Sequence, residues 1–249
     1  MNQILKEKIK YLSRKYFGYD PSLRKITISE DFIEQKKILI DNNVKAETIF
    51  DIGANVGQTT QKYRKLFPKS IIYGFEPFPK VFEIYSKNTN GEKKIHKKQF
   101  ALSNKIGKAF FFSNENHYTN SLLAIDKKFG NDNAYKLKSK IEIETNTLDN
   151  FCKENNIKRI NILKMDVQGG EMLVLEGAKE MLSQKAIDLI YTEIEFVTLY
   201  QDQPLFEDIR KFLNNYGYKF YKNYNTYYNE KSEAISADSI FINQRLTLK

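Results

Sequence analysis

Short apolar segments alternate with helical patterns along most of this 249-residue chain. The apolar segments predict five strands, at residues 48–52, 70–75, 95–102, 159–167 and 186–196, and the pattern between the last two predicts a helix at residues 171–182. Parallel strands need long, usually helical crossovers, so this alternation predicts an α/β fold around a mostly parallel, doubly wound sheet. Further strands near residues 218–221 and 239–243 predict an antiparallel strand at the C-terminal end.

The alternation is interrupted over residues 103–150, where "KAFFFSN" and "KIEIETNTL" flank an Asn-rich stretch. We interpret this segment as a hairpin-like insertion near the strand tips, where substrate-recognition elements often lie. Residues 29–249 contain no internal repeat and no low-complexity linker, so they are predicted to form a single domain.

Residues 1–28 are predicted to be a basic, helical extension. Over residues 1–25 seven Lys and Arg residues accompany two acidic ones, and Leu5, Ile9, Leu12 and Tyr16 recur at helical spacing. Two interpretations stay open. Either the helix packs on the main domain or in a homo-oligomer, or it contacts an anionic surface such as membrane lipid or a polymer substrate.

Composition limits the binding partners and the cellular compartment that we expect for this chain. The chain has 40 Lys and Arg against 31 Asp and Glu, a net charge of +9, which favours anionic partners without selecting one class. A single cysteine, Cys152, excludes an internal disulfide framework, and the two His residues lie in no Cys/His cluster, so no metal site is predicted. The sequence shows neither a secretion signal nor a spanning apolar run. We therefore expect a cytoplasmic protein, with a peripheral position at the inner membrane as an alternative.

The segment "IFDIGANVGQTT" marks the expected ligand site, because doubly wound sheets bind ligands beyond the carboxyl ends of their strands. Asp51 ends a strand, and Gly53, Asn55 and Gly57 form the turn into a helix that contains Thr59, a further candidate for contact with the ligand. The spacing does not match the dinucleotide motif G-x-G-x-x-G, and no Gly-Lys-Ser/Thr follows as in a phosphate loop. A carboxylate here repels phosphates but suits an ammonium and a sulfonium, so the turn predicts S-adenosylmethionine (SAM) as cofactor.

Glu76 ends the next strand and supports the same cofactor. An acidic side chain at this position can accept hydrogen bonds from both hydroxyls of a ribose. Pro77 then turns the chain away from the sheet. Glu76 alone is consistent with a solvated carboxylate, but Glu76 together with the Asp51 turn predicts a SAM site.

The chain resembles the FkbM-type SAM-dependent methyltransferases over about residues 45–245. The motifs that carry the resemblance occur in the family's order: "FDIGANVGQTT", "IYGFEPFP", "ALSN", "NTLDNF" and "INILKMDVQGGEMLVLEGA". The resemblance implies the Rossmann-like fold of class I SAM-dependent methyltransferases and O-methylation, typically of sugar or polyketide hydroxyls. It also implies that the Asp51–Gly57 turn holds the methionine end of SAM, that Glu76 holds the ribose, and that Ala101, Leu102 and Ser103 lie along the adenine.

One motif departs from the family pattern. The family usually reads Asp-x-Glu-Gly-x-Glu after the fourth strand, whereas this chain has Gln168 in place of the first Glu. A glutamine cannot act as a base and is a weaker ligand for a hard cation, so this position does not predict metal assistance. We place Gln168 on the substrate side of the site.

Four residues are candidates for catalysis. Asp166, at the tip of the central fourth strand, is the first candidate for a base that deprotonates a hydroxyl; the alternative is that it only orders the loop or holds the cofactor. Lys164, on the same face, either orients Asp166, binds an anionic substrate or forms a plain salt bridge. Glu193 and Glu195 point to one face of the fifth strand and are substrate candidates, as is His117 in the insertion. Glu193 and His117 are also candidate catalytic groups.

The leading hypothesis is a SAM-dependent O-methyltransferase that acts on a sugar, a nucleotide-sugar or a surface glycan. RNA methylation is an alternative, suggested by the net charge of +9 and by the aromatic and basic residues of segment 216–230. Against it, the charge is concentrated in residues 1–25 and no RNA-binding module is recognised, so nucleic acid is not the expected partner. The third hypothesis is a methyltransferase fold that binds SAM or a partner without catalysis.

Overall fold

The computed structural model of the chain describes residues 26–115, 119–126, 136–228 and 232–246. Within these ranges ten strands alternate with seven helices. The strands are β1 Thr48–Ile52, β2 Ile71–Phe75, β3 Ile95–Lys98, β4 Ala101–Leu102, β5 Gly107–Asn114, β6 Leu137–Asn146, β7 Ile160–Met165, β8 Ile187–Glu195, β9 Tyr218–Tyr228 and β10 Ala234–Asn243. The helices are α1 Glu30–Asp41, α2 Gln58–Leu66, α3 Pro79–Asn88, α4 Leu148–Glu154, α5 Glu171–Glu176, α6 Lys179–Ser183 and α7 Phe206–Asn215.

Seven strands form the main sheet in the order β3-β2-β1-β7-β8-β10-β9. The first five of these pair in parallel, whereas β10 runs antiparallel between β8 and β9. The predicted fold class, a mostly parallel doubly wound sheet with an antiparallel C-terminal strand, is therefore confirmed. Among the described residues, no helix combines the length and apolar character needed to cross a membrane.

Two apolar cores cover the two faces of the main sheet. Successive side chains of a strand point to opposite faces, so Phe50 and Ile52 of β1 join one core while Ile49 joins the other. The central strand β7 is buried at every residue, as expected for a parallel strand with helices on both sides. Because helices pack on both faces, the parallel strands are held with their carboxyl ends side by side, and the site described below lies at these ends.

Three predicted elements differ from the structure. The strand predicted at residues 95–102 is divided, because the chain leaves the main sheet after β3 and β4 pairs in parallel with β6 of a second sheet. The helix predicted at 171–182 is divided into α5 and α6 at Gly177, where a Cβ atom would lie 2.1 Å from the carbonyl oxygen of Ser103. The last two strands are longer than predicted, because β9 and β10 pair with each other over most of their length.

The small sheet has the order β4-β6-β5 and contains the predicted hairpin, in which β5 and β6 are antiparallel. Residues 119–126 run between this hairpin and the main sheet. Ser121 pairs with Phe112 of β5, and Ile125 pairs with Tyr200 in the segment that follows β8 of the main sheet. The basic extension predicted for residues 1–25 lies outside the described residues, as does His117.

Candidate active site

A cavity of about 360 Å³ lies at the carboxyl ends of β1, β2, β7 and β8. This volume is in the range of small-molecule and cofactor sites. Three carboxyl groups line it, those of Glu76, Asp166 and Glu193. Apolar residues from three parts of the chain form much of the remaining wall: Phe75, Val81, Phe100, Leu102, Phe111 and Leu122. The cavity thus combines carboxyl groups with an apolar surface.

The glycines of the first turn allow close packing of the protein against itself. Gly53 has φ +72°, and a Cβ atom there would lie 1.9 Å from the carbonyl oxygen of Asp166. Gly57 has φ +97°, and its Cβ would lie 2.9 Å from the ring of Tyr85. Gly53 and Asn55 line the cavity, whereas Gly57 is not among the residues that do. The turn therefore brings the ends of β1 and β7 together under the cavity.

Asp51 lies beneath this turn, fully buried, and does not line the cavity. Its carboxylate accepts a hydrogen bond from Thr60 Oγ1 at 2.5 Å and is 3.1 Å from Lys164 Nζ. Lys164 also donates to the backbone carbonyls of Ile52 at 3.3 Å and Gly53 at 2.9 Å. Burial lowers the pKa of Lys164, but Asp51 and Asp166 outweigh it and raise the pKa overall. Asp51 and Lys164 thus form a buried ion pair that fixes the turn; direct contact of Asp51 with SAM stays a prediction.

Glu76 is buried and lies where the sequence placed it, at the end of β2 and in the cavity wall. Its Oε2 accepts a hydrogen bond from the backbone N–H of Asn55 at 3.1 Å, and its Oε1 accepts one from Phe78 at 2.9 Å. Burial raises the pKa of Glu76 to about 7, against the two backbone hydrogen bonds and Lys164, which lower it. Each carboxylate oxygen keeps a further lone pair, so Glu76 can still accept two hydroxyl donors.

Gln168 connects the two carboxyl groups at the other end of the cavity. Its Nε2 donates to Asp166 Oδ1 at 2.9 Å and to Glu193 Oε2 at 2.6 Å, and its Oε1 accepts from the Tyr200 hydroxyl at 3.1 Å. Asp166 is 45% exposed and lies 3.9 Å from Lys164 Nζ. The residue that departs from the family pattern therefore sits between the two candidate bases.

Carboxyl groups crowd this end of the site. Burial raises the pKa of Glu193 well above its usual range, and Asp166, Glu195, Glu171 and Asp238 raise it further. Burial, followed by the charges of Glu171 and Asp166, likewise raises the pKa of Glu195 to about 8. Burial raises the pKa of Glu171 to about 7, although its carboxylate accepts a hydrogen bond from the Val167 N–H at 2.9 Å. Such shifts bring carboxyl groups into the range in which a general base works near neutral pH.

The remaining predicted residues divide into two groups. Pro77, Ala101 and Leu102 line the cavity, beside Phe100. Thr59, Ser103 and Glu195 do not line it, and their contacts with ligands stay predictions. Apart from Ala101 and Leu102, sequence reasoning missed the apolar wall, and it missed the contributions of Thr119, Asn120 and Tyr200. Their signal is weak, because residues 119–126 are held at the site by non-local pairing, with Phe112 of β5 and with residues 199–201.

Comparison with known proteins identifies the family. The pattern of the methyltransferase FkbM domain matches residues 51–220, more than half of the chain. The chain belongs to the FkbM methyltransferase family. The predicted resemblance is thus confirmed, and with it, at the level of the family, the SAM-dependent methyltransferase class and the cofactor SAM.

Curated relatives of this FkbM protein are methyltransferases. The 2-O-methyltransferase NoeI of Sinorhizobium fredii (strain NBRC 101917 / NGR234) is 29% identical over 166 residues, which are 64% of this chain and 65% of NoeI. Methyltransferase 1 of Beauveria bassiana (strain ARSEF 2860) is 24% identical over 169 residues, 60% of this chain and 67% of the relative. The chain therefore matches about two thirds of the length of these proteins. The methyltransferase domain of METTL16 shares the fold, with a TM-score of 0.51 at 10% identity, covering 96% of this chain and 79% of that domain.

The cavity fits the cofactor of the FkbM family. Glu76 can hold the ribose hydroxyls by the lone pairs that its backbone partners leave. The apolar wall around Phe75, Phe100 and Leu102 suits a flat aromatic ring such as adenine. Asp166 lines the same cavity next to Gly53 and can supply negative charge for a cationic methionine end, a contact that stays a prediction.

Proposed function

We propose that the protein transfers a methyl group from SAM to a hydroxyl of a carbohydrate. The observation that carries this proposal is the placement of Asp166 and Glu193 in one cavity with the SAM-compatible residues Gly53 and Glu76. A relative that is 29% identical bears the name 2-O-methyltransferase, which supports oxygen as the methylated atom. That the acceptor is a carbohydrate is the more specific part of the proposal, and it rests on the polar and aromatic residues that line the cavity.

The roles of the residues follow from their positions. SAM, when bound, supplies an electrophilic methyl group on a sulfonium. Glu76 and the Gly53 turn would hold SAM, and the apolar wall would exclude water from its adenine ring. Asp166 or Glu193 accepts the proton of the acceptor hydroxyl, which is a poor nucleophile until that proton leaves. Such a base contributes roughly 10²–10⁴-fold to the rate.

The acceptor side of the cavity supports a sugar. Thr119, Asn120 and Gln168 line it with uncharged polar side chains, which can donate to and accept from hydroxyl groups. Phe111 adds an aromatic face against which a sugar ring can pack. Three carboxyl groups in the same cavity disfavour a phosphate next to the methylated hydroxyl. The expected acceptor is therefore an uncharged sugar unit, free or as the terminal part of a larger glycan.

The test measures cofactor binding and turnover separately. SAM is titrated by calorimetry, and the protein is then incubated with SAM and a panel of monosaccharides, nucleotide-sugars, oligosaccharides and RNA. S-adenosylhomocysteine is quantified, and products are examined by mass spectrometry for one added methyl group. We expect the wild-type protein to bind SAM without an acceptor and to form S-adenosylhomocysteine when a neutral sugar is present.

Two matched variants test which carboxyl group accepts the proton. Glu193→Gln and Asp166→Asn keep the shape of the side chains and remove one candidate base each, so one of them should lose most turnover and still bind SAM. Exclusive methylation of RNA would overturn the carbohydrate proposal, and a wild-type protein that binds no SAM would overturn methyl transfer itself.

A further inference from the structure

Gln168 occupies a fixed orientation in the site. The side-chain amide turns its NH₂ group toward oxygen atoms of Asp166 and Glu193, which accept its two hydrogen bonds. The opposite atom, Oε1, meets a donor, the hydroxyl of Tyr200, at 3.1 Å. Both ends of the amide are thus hydrogen-bonded in this orientation.

Tyr200 is itself held firmly. It is 1% exposed, and its hydroxyl also contacts the carbonyl oxygen of Thr119 at 3.2 Å. Its ring packs against Gly169, where φ is +90° and a Cβ atom would lie 3.0 Å from ring carbon Cδ2. Its backbone N–H donates to Gln203 Oε1 at 3.0 Å. A rigid tyrosine therefore sets the direction of the Gln168 amide.

The orientation of the Gln168 amide determines which oxygen of Glu193 is hydrogen-bonded. Among the hydrogen bonds between described residues, Gln168 engages Oε2 of Glu193, so that Oε1 is available for a substrate proton. The donor also offsets part of the repulsion from the acidic groups that surround Glu193. These groups come from each neighbouring element: Asp166 follows β7, Glu195 lies on the same strand, Glu171 begins α5, and Asp238 lies on β10.

We propose that Gln168 is a positioning residue, oriented by Tyr200, that holds Glu193 as the proton acceptor for the substrate hydroxyl. The inference rests on the proposed function. The hydroxyl proton passes to Glu193 Oε1 while the substrate oxygen forms the new carbon–oxygen bond. The methyl–sulfur bond breaks, and its electron pair remains on the sulfur, which loses its positive charge. A glutamate at position 168 would provide no donor and would add a further negative charge between Asp166 and Glu193.

The test follows the titration of Glu193 directly. Carboxyl carbons of ¹³C-labelled glutamate are monitored by NMR against pH, and Glu193→Gln identifies the signal of Glu193. In Gln168→Leu we expect its titration midpoint to rise by about one pH unit or more, because the donor is lost. In Gln168→Glu the rise should be larger, and in Tyr200→Phe it should be smaller.

The chain offers a matched control pair. Gln35 is fully buried, and its Oε1 accepts a hydrogen bond from the hydroxyl of Tyr63 at 2.8 Å, away from the cavity lining. Gln35→Leu and Tyr63→Phe should lower stability without moving the titration of Glu193. The pH profile of kcat adds a second readout, since its acidic limb should shift with the NMR midpoint while KM for the sugar changes less.

The outcomes separate the two proposals. An unchanged Glu193 midpoint in both Gln168 variants overturns the positioning role. A shifted midpoint with an unshifted kcat profile also overturns it, because Glu193 is then not the proton acceptor. Failure of methyl transfer as such would appear as absent turnover in the wild type, which the NMR titration does not measure.

Discussion

The ammonium group of Lys164 lies 3.1 Å from the carboxylate of Asp51, and both side chains are buried under the Gly53 turn. The two residues are register partners on the adjacent parallel strands β7 and β1. An acidic strand end that the sequence assigns to the cofactor is thus balanced by a cation from the neighbouring strand. The charge that a ligand meets in the cavity comes from Glu76, Asp166 and Glu193.

Removal of the buried cation should destabilise the fold. Lys164→Met leaves the carboxylate of Asp51 without its partner in a buried site, and we expect a loss of about 3–5 kcal/mol in the free energy of unfolding. Urea denaturation measures this loss. Lys108, which pairs with Glu142 at 2.7 Å on the surface, provides the matched control. Lys108→Met should change stability little, and equal losses in the two variants would contradict the prediction.

Glu76 should make SAM binding depend on pH. Ribose hydroxyls donate to the ionised carboxylate, and burial raises the pKa of Glu76 to about 7. The affinity should therefore rise between about pH 6 and about pH 8, and binding at the lower pH should release a proton. Glu76→Gln should lower the affinity by about 10-fold to 100-fold and weaken the pH dependence. Calorimetry in buffers of different ionisation enthalpy measures both effects.

A control for Glu76 lies outside the cavity. The carboxylate of Asp149 also accepts two backbone hydrogen bonds, from Glu180 at 2.8 Å and Met181 at 3.0 Å. Asp149→Asn should affect stability but not SAM affinity. A similar loss of affinity in this variant would show that the Glu76 effect is indirect.

The Gly53 turn should not tolerate a side chain. In Gly53→Ala the new Cβ would meet the carbonyl oxygen of Asp166 at 1.9 Å, and φ is +72°, so we expect a loss of more than about 3 kcal/mol. Gly91 separates the two causes, because it has φ +82° with nothing within 4 Å of its Cβ position. Gly91→Ala should cost only about 1–2 kcal/mol of backbone strain. If thermal or urea unfolding showed equal losses of stability in Gly53→Ala and Gly91→Ala, the close contact with Asp166 would not contribute to the loss.

Glu195 should make stability fall as pH rises. Its pKa is raised from 4.5 to about 8 in the folded protein, so the folded chain binds this proton more tightly than the unfolded chain. Stability contributed by the proton is therefore present at low pH and is lost as pH increases through this range. Glu195→Gln should be more stable than the wild type by about 1–3 kcal/mol near pH 9 and show a flatter profile.

Urea unfolding across this pH range tests the Glu195 prediction. The substitution of the exposed Glu154 by glutamine serves as the control and should follow the wild-type profile. A Glu195→Gln profile that runs parallel to the wild type would contradict the assignment of the pH dependence to this carboxyl group.

Local sequence signals predicted the strand ends well. The apolar runs before Asp51, Glu76 and Asp166 placed these residues at one edge of the sheet, because parallel strands all end on the same side. The Asp51 turn together with Glu76 was enough to predict the cofactor. The alternation on β8 likewise placed Glu193 and Glu195 on one face.

Long-range partners could not be predicted in the same way. That Asp51 faces Lys164 depends on β1 lying beside β7, and strand order is not encoded in any local pattern. The position of Tyr200 depends on its bridge to Ile125, 75 residues earlier in the chain (200 − 125). The short strand β4 was predicted as one strand with β3, because no Gly or Pro in residues 95–102 marks the exchange of partner strands.

The small sheet connects two walls of the cavity that the sequence treats as separate. Its strand β4 contributes Ala101 and Leu102, its strand β5 contributes Phe111, and both pair with β6. A displacement of the hairpin on the acceptor side is therefore transmitted to the wall expected to face adenine. Laboratory evolution of acceptor range through this hairpin should alter cofactor affinity as well, so variant libraries are best screened at saturating SAM.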